Sequence, residues 1–172
     1  MKHTLYIIIA SILLVSCHSN EQQHVQVSDI KNQPSPKEIN MHNTGIITKK
    51  SELNFDDTYN KLRSIIDNNP NLTILFELDH QANAAKVDLE LAPTKIIFFG
   101  NPKLGTPLMI AGDKTGLDLP QKILVTERNG EVSISYNDPS YLKDRHNISD
   151  KDEVLAKVTG ALDKITTMAS KG

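Results

Sequence analysis

"QKILVTERNGEVSISYND" (residues 121–138) predicts a β-hairpin. The pair Asn129-Gly130 lies between two β-rich runs, and it is the strongest short turn signal in the chain because both residues tolerate the positive φ of a hairpin turn. The chain is therefore expected to contain an antiparallel strand pair, and the segments before and after it indicate what packs around that pair.

Three segments before the hairpin predict strands. They are "GIITKKSE" (45–52), "LTILFELD" (72–79) and "TKIIFFG" (94–100), and the last is a continuous apolar run expected to be buried on both faces. The elements alternate with helical segments in the order β-α-β-(α)-β-β-β-α. This order predicts an α+β domain with one antiparallel or mixed sheet and helices packed on one face.

Capping residues and apolar spacing predict the helices. Asn54 begins the first helix, which carries one apolar face, and Asp79 begins a short second one. Asp138-Pro139 begins another short helix with proline at its first position, and Ser149 is expected to cap the last. Apolar residues line the inward faces of the two long helices: Phe55, Tyr59, Leu62 and Ile66 in the first, and Val154, Val158, Ala161 and Ile165 in the last, where Leu155 and Leu162 widen the stripe.

The first residues, "MKHTLYIIIASILLVSC", predict a signal peptide over 1–16. The apolar stretch would rise about 17 Å as a helix, which is too short for a bilayer core of about 30 Å. Its end resembles the bacterial lipobox, in which Cys17 becomes the lipidated first residue; the alternative is an ordinary secretory signal. His18, in place of Asp, favours the outer membrane by resemblance to the known sorting rule, with the domain facing the periplasm.

Residues 17–44 are expected to form the lipidated cysteine and a flexible polar tether, followed by a single α+β domain over 45–172. The 27 tether residues, 18–44, would reach about 30 Å as a random coil. Cys17 is the only cysteine, and if it carries lipid, none is left for disulfides, zinc–thiolate sites or a cysteine nucleophile. The partner expected from these features is a membrane, held through the lipid anchor.

Composition argues against a nucleic-acid partner. The net charge is −2, and the chain has four Phe, four Tyr and no Trp, so neither a basic field nor a stacking platform is indicated. Gly100 and Gly105 have the spacing of a phosphate-binding loop. However, no lysine follows Gly105, and Pro107 removes a backbone N–H that a phosphate would need. We therefore predict no nucleotide and no other cofactor, and we interpret 100–109 as a stiff loop.

The residues around this loop resemble the domain of unknown function 302 family. The matching motifs are Asp79-His80 with Asn83 and Ala84-Ala85, Pro93-Thr94, Gly100-Asn101-Pro102, Gly105-Thr106-Pro107-Leu108-Met109, Asp118-Leu119-Pro120, Tyr136-Asn137-Asp138-Pro139, Tyr141-Leu142 and Arg145-His146. The resemblance implies a β-α-β4-α fold grouped with TATA-binding-protein-like folds, and often a homodimer. It implies no settled activity.

The candidate site consists of polar residues in these motifs. If the loop 100–109 packs between the two short helices, one pocket would be lined by Asp79, His80, Asn83, Asn101, Thr106, Tyr141, Arg145 and His146. Arg145 suits a carboxylate or phosphate, which favours binding of a small polar or anionic ligand, or of an envelope protein partner. No metal is expected.

Two other activities remain open, beside a purely structural role in which these residues cap helices and bridge loops. His80 with Asp79 could act as a general base in a hydrolase-like or other acid–base enzyme. A metal site built on His80 and His146 is weakly indicated, because the two histidines lack a recognised metal-binding spacing.

Overall fold

Five strands form an antiparallel sheet in the computed structural model, which describes residues 44–172. The spatial order is β1-β5-β4-β3-β2, with β1 Ile46–Lys50, β2 Thr73–Asp79, β3 Thr94–Gly100, β4 Gln121–Arg128 and β5 Glu131–Asn137. The helices are α1 Phe55–Asp67, α2 His80–Ala85, α3 Pro102–Ala111, α4 Pro139–His146 and α5 Asp152–Ala169, with a 3-10 helix at Asp113–Leu117. The α+β prediction is confirmed. The signal peptide 1–16, Cys17 and most of the tether lie outside the described residues.

The hairpin prediction is confirmed. Strands β4 and β5 pair with Arg128 opposite Glu131, and Asn129 and Gly130 have φ of 53° and 77° at the turn. Both central residues are in the left-handed region, as a type I′ turn requires. The hairpin places β4 at the centre of the sheet and β5 beside β1.

One face of the sheet forms the core with α1 and α5. Leu62 and Ile66 of α1 and Leu162 of α5 pack against inward residues of the strands such as Ile97 and Ile123. Each fully buried aliphatic side chain of this kind contributes about 1.5–3 kcal/mol. The apolar stripes predicted for the two long helices therefore hold them on this face.

The opposite sheet face is only partly buried. Hydroxyl groups pair across strands there, with Thr126 Oγ1 3.0 Å from Ser133 Oγ. Ile46 and Phe76 of the two edge strands expose more than half of their surface on this face. The expectation that the apolar run 94–100 is buried on both faces is thus wrong, because every second residue of β3 faces the core and the others, such as Phe98, stay half-buried.

Two local predictions are also wrong. Residues 102–111, expected in a loop, form helix α3: the Asn101 side chain accepts a hydrogen bond from the Lys103 N–H, and Pro102 occupies the first turn, where no N–H is needed. Pro107 removes one internal hydrogen bond, but packing of α3 on α5 outweighs that loss. Helix α5 begins at Asp152 with Lys151 at the N-cap, so Ser149 does not cap it.

The raised pKa of Tyr59, in α1, should make the stability of the domain depend on pH in the alkaline range. Burial, and then the hydrogen bond that its hydroxyl donates to Glu77 Oε2 (2.8 Å), raise the pKa of Tyr59. The unfolded chain ionises this phenol above about pH 10 and the folded chain does not. The free energy of unfolding should therefore fall as pH rises above that value.

Replacing Tyr59 with phenylalanine should flatten this alkaline fall, at a cost of about 1 kcal/mol at neutral pH from the lost hydrogen bond. Urea unfolding between about pH 8 and about pH 11 measures both effects. Burial also raises the pKa of Tyr136, so part of the fall should persist in the variant. An unchanged alkaline slope would contradict the role given to Tyr59.

Candidate functional site

A cavity of about 460 Å³ lies between the sheet, α3 and α5. Its walls come from the β2–β3 end of the sheet, from α3, from α5 and from residues 119–121. Most of the lining side chains are apolar, among them Leu72, Leu75, Phe99, Leu104, Leu108, Met109, Leu119, Pro120, Val158, Ala161, Leu162 and Ile165. The volume is that of a small-ligand site, and the lining suits an apolar molecule.

One polar group in this cavity lacks a partner. Gln121 begins β4 opposite Phe99, so its side chain lies on the core face of the sheet and lines the cavity. Its amide nitrogen Nε2 is buried and has no hydrogen-bond partner in the described part of the chain. An unpaired buried donor costs about 1–3 kcal/mol, so a ligand acceptor that meets the Gln121 amide after a small rotation of this side chain would remove that cost.

The glycine spacing that resembles a phosphate loop has a different use here. Gly100 and Gly105 both line the cavity. A Cβ built on Gly105 would lie 3.8 Å from Leu119 Cδ1, and one on Gly100 would lie 3.8 Å from Leu75 Cδ1. The absence of side chains at these positions keeps the cavity open at the start of α3.

The predicted residues on β2 and α2 are engaged locally. Asp79 Oδ1 accepts a hydrogen bond from the Ala82 N–H (2.8 Å) as the cap of α2, and its Oδ2 lies 3.8 Å from Lys95 Nζ. Asn83 accepts a hydrogen bond from Lys86. Within residues 44–172 no hydrogen bond joins Asp79 to His80, so the arrangement expected of a carboxylate-oriented general base is not formed in this conformation.

Arg145 and His146 share one carboxylate. His146 Nε2 lies 2.6 Å from Asp118 Oδ2, and Arg145 Nη1 donates to Asp118 Oδ1 at 3.2 Å. The side chains of His146 and Asp118 are 5% and 12% exposed. Asp118 was not among the predicted site residues, although the family motif around it contains the residue. Its position, two residues before the cavity-lining Pro120, ties this cavity wall to α4.

Tyr141 has a packing role. Its ring lies against Gly45, where a Cβ would be only 2.6 Å from Tyr141 Cγ. The ring therefore covers the backbone immediately before β1, and the hydroxyl end is free to face solvent because the residue is 39% exposed.

The eight predicted residues thus fall into separate groups. Only Asn101 and Thr106 line the cavity. No hydrogen bond or ion pair within residues 44–172 joins Asp79, His80 or Asn83 to Arg145 or His146. In the same range, no group of three or more His, Cys, Asp or Glu side chains is placed to hold a metal ion. Many cavity-lining residues belong to the family motifs around 100–109 and 118–120, but nothing in those motifs indicated a cavity. Gln121 and the lining residues of α5 lie outside the motifs, and their pattern is the same as that of an ordinary core.

Comparison with known proteins decides the family. The family model described as domain of unknown function DUF302 matches residues 47–165. The chain belongs to the DUF302 family. Its DUF302 domain is thus the part of the chain that holds both the sheet and the cavity.

Two curated relatives from Brucella match the chain. The protein named fluoride-specific ion channel FluC 1 of Brucella suis biovar 1 (strain 1330) is 33% identical over 128 residues, which cover 73% of this chain and 50% of the relative. The protein of the same name from Brucella abortus biovar 1 (strain 9-941) is also 33% identical, over 73% of this chain and 47% of its own length. This DUF302 chain therefore spans about half the length of the curated relatives it matches. None of the helices between residues 44 and 172 has the length and apolarity needed to cross a membrane.

A solved structure has the same fold as the DUF302 domain. The crystal structure of an uncharacterized conserved protein DUF302 from Bacillus stearothermophilus superimposes with a TM-score of 0.66 at 18% identity. The match covers 73% of this chain and 98% of that one. At this identity the likeness concerns the fold alone.

Proposed function

We propose that the DUF302 domain binds a small ligand with an apolar body and one hydrogen-bond acceptor. The observation that carries the proposal is the apolar cavity between α3 and α5 with the unpartnered Nε2 of Gln121 in its wall. An apolar ligand would remove the lining from water, and its acceptor would satisfy the buried amide.

This ligand differs from the polar or anionic one that the sequence suggested. Arg145, the cation expected to bind it, already donates to Asp118, and His146 contacts the same carboxylate. The Asp118 carboxylate offsets the positive charge that an anion would meet at Arg145, although other N–H donors of the guanidinium are not bonded to Asp118. The cavity between the sheet, α3 and α5 differs from this surface because its lining is mostly apolar and includes no charged side chain from residues 44–172.

Filling the cavity tests the proposal. Ala161 lines it from α5, so Ala161→Phe should place a ring in the space and weaken binding of the apolar fluorophore phenylnaphthylamine by about tenfold or more. Fluorescence titration of residues 44–172, which include the sheet, the five helices and the core, measures this affinity. We expect the natural sequence to bind the fluorophore tightly and the variant to bind it weakly.

Ala156→Phe is the matched control. This substitution adds the same ring to the same helix at an exposed position outside the cavity. The variant should therefore bind the fluorophore with the same affinity as the natural sequence. Thermal unfolding verifies that both variants keep the fold. Absence of fluorophore binding to the natural sequence, or equal binding by all three proteins, would contradict the proposal.

We also propose that the domain works at the cell envelope, anchored by lipid on Cys17 to the outer membrane and facing the periplasm. The lipobox-like "LLVSC" and the use of the only cysteine at that position support it. In bacteria fed alkyne-tagged palmitate, the full chain should take up label and sediment with membranes, and Cys17→Ser should lose both properties. Equal labelling of the two chains, or none of either, would count against the anchor.

A further inference from the structure

The rim of the cavity is apolar and exposed. Leu75 of β2 and Met109 of α3 line the cavity, yet 59% and 40% of their surfaces remain accessible. Ile110 is 79% exposed, and it lies one helical turn after the cavity-lining Thr106 on the same side of α3. Large apolar side chains gathered at an apolar opening mark a surface that meets another apolar phase.

A lysine side chain lies beside this rim. Lys103 is exposed in the first turn of α3, and that turn holds no acidic residue that would neutralise it. Lys103 lies one turn before Thr106 and two turns before Ile110, so the three share one side of the helix. A single lysine near a membrane that carries anionic lipids adds a modest attraction, so Lys103 would favour an approach of this side of α3 to such a surface.

The predicted tether would hold the domain close to a membrane. A coil of the 27 residues 18–44, attached to lipid at Cys17, would keep the domain within about 30 Å of a bilayer. At that distance the exposed rim could reach the bilayer, where the acyl chains lie beneath the headgroup layer. The ester carbonyl at the head of such a chain is an acceptor of the kind that the Gln121 amide lacks.

We infer that the occupant of the cavity is an acyl chain of a membrane glycerolipid, drawn from the bilayer past Leu75 and Met109 at the edge of the cavity, with Ile110 exposed beside them. This inference rests on the proposed function, since it names the ligand of the same cavity. A soluble apolar metabolite would fit the cavity, but it would leave the exposed side chain of Ile110 in water, whereas a bilayer would also cover that side chain.

Photo-crosslinking in living cells tests the inference on the full chain. The photoreactive residue p-benzoylphenylalanine replaces Ile110 at the rim or, as the matched control, Ile46, an equally bulky exposed isoleucine on the opposite sheet face. After irradiation, mass spectrometry of the purified protein should find a glycerolipid adduct at position 110 and none at position 46. Combining the position-110 label with Ala161→Phe should abolish the adduct.

A protein adduct at position 110, or no adduct there, overturns the inference. If the natural sequence still binds phenylnaphthylamine in that case, the cavity is a ligand site and only its lipid occupant is refuted. If it does not bind the fluorophore either, the proposed function fails as well. A glycerolipid adduct of equal yield at positions 46 and 110 would also overturn it, because it would show lipid contact that is not specific to the rim.

Gln121→Met tests the carbonyl contact separately, because methionine keeps the length of the side chain without its donor. Binding of a methyl ester of a fatty acid should weaken about three- to tenfold, whereas binding of the matching alkane should not weaken. Equal effects on the two ligands would refute the hydrogen bond from Gln121.

Discussion

Asp118→Ala is expected to lower the free energy of unfolding by about 3 kcal/mol. Asp118 accepts from Arg145 and contacts His146 Nε2 at 2.6 Å, and the imidazole is almost completely buried. Removing the carboxylate leaves a buried polar ring without its partner, which costs more than the loss of an exposed ion pair. Urea unfolding at neutral pH measures the change.

The design of this experiment separates Asp118 from its surroundings. Asp113→Ala removes an exposed carboxylate from the neighbouring 3-10 helix and should change stability by less than about 0.5 kcal/mol. In a double-mutant cycle, Asp118→Ala and His146→Ala should show a coupling energy above about 1 kcal/mol. Additive effects of the two substitutions would mean that the contact contributes little to the fold.

Gly45→Ala is expected to destabilise the domain by about 2–4 kcal/mol. Gly45 has φ of 67°, where an L side chain is strained, and its Cβ would come within 2.6 Å of Tyr141 Cγ. The overlapping atoms belong to the stem of the tyrosine rather than to its flexible end, so either α4 or the start of β1 must move. Thermal and urea unfolding give the size of the effect.

Gly130→Ala separates strain from overlap. Gly130 also has positive φ, 77°, but a Cβ there meets nothing within 4 Å, so its substitution should cost only about 1 kcal/mol of backbone strain. The larger loss of stability at Gly45 is then due to the overlap with Tyr141. Adding Tyr141→Ala to Gly45→Ala should restore that additional stability. Equal losses at the two glycines would show that the ring of Tyr141 imposes no packing constraint.

The elements that were predicted correctly depend on neighbours along the chain. Asn129-Gly130 forms its turn because both residues accept positive φ, whatever packs nearby. Asn54 caps α1, and Asp79 caps α2, through hydrogen bonds to backbone groups three residues later. Such signals lie within four residues, so they could be interpreted without the fold. The resemblance to the family implied the β-α-β4-α class, but the order of the strands in the sheet came from the structure.

The candidate site was predicted less well because its parts interact across the sequence. Arg145 and His146 were expected to contact a ligand, but both contact the carboxylate of Asp118. Asp118 lies 27 residues before Arg145 and 28 residues before His146. No spacing rule links an aspartate in a 3-10 segment to a helix end so far along the chain. Helix α3 was missed for a related reason: its glycine and proline content argues against a helix, and only packing against α5 outweighs that local preference.

The sequence by itself determined the α+β class, the hairpin and the apolar stripes of the two long helices. These features follow from the backbone preferences of the residues and from the periodic spacing of apolar side chains along the chain. The tertiary structure alone decided which apolar residues form a solid core and which surround a cavity. That distinction depends on how closely α3 and α5 approach the sheet, and on Gly100 and Gly105, which leave space there. The residues that line the cavity are of the same apolar types as those of the solid core, so the residue pattern carries no record of the empty volume.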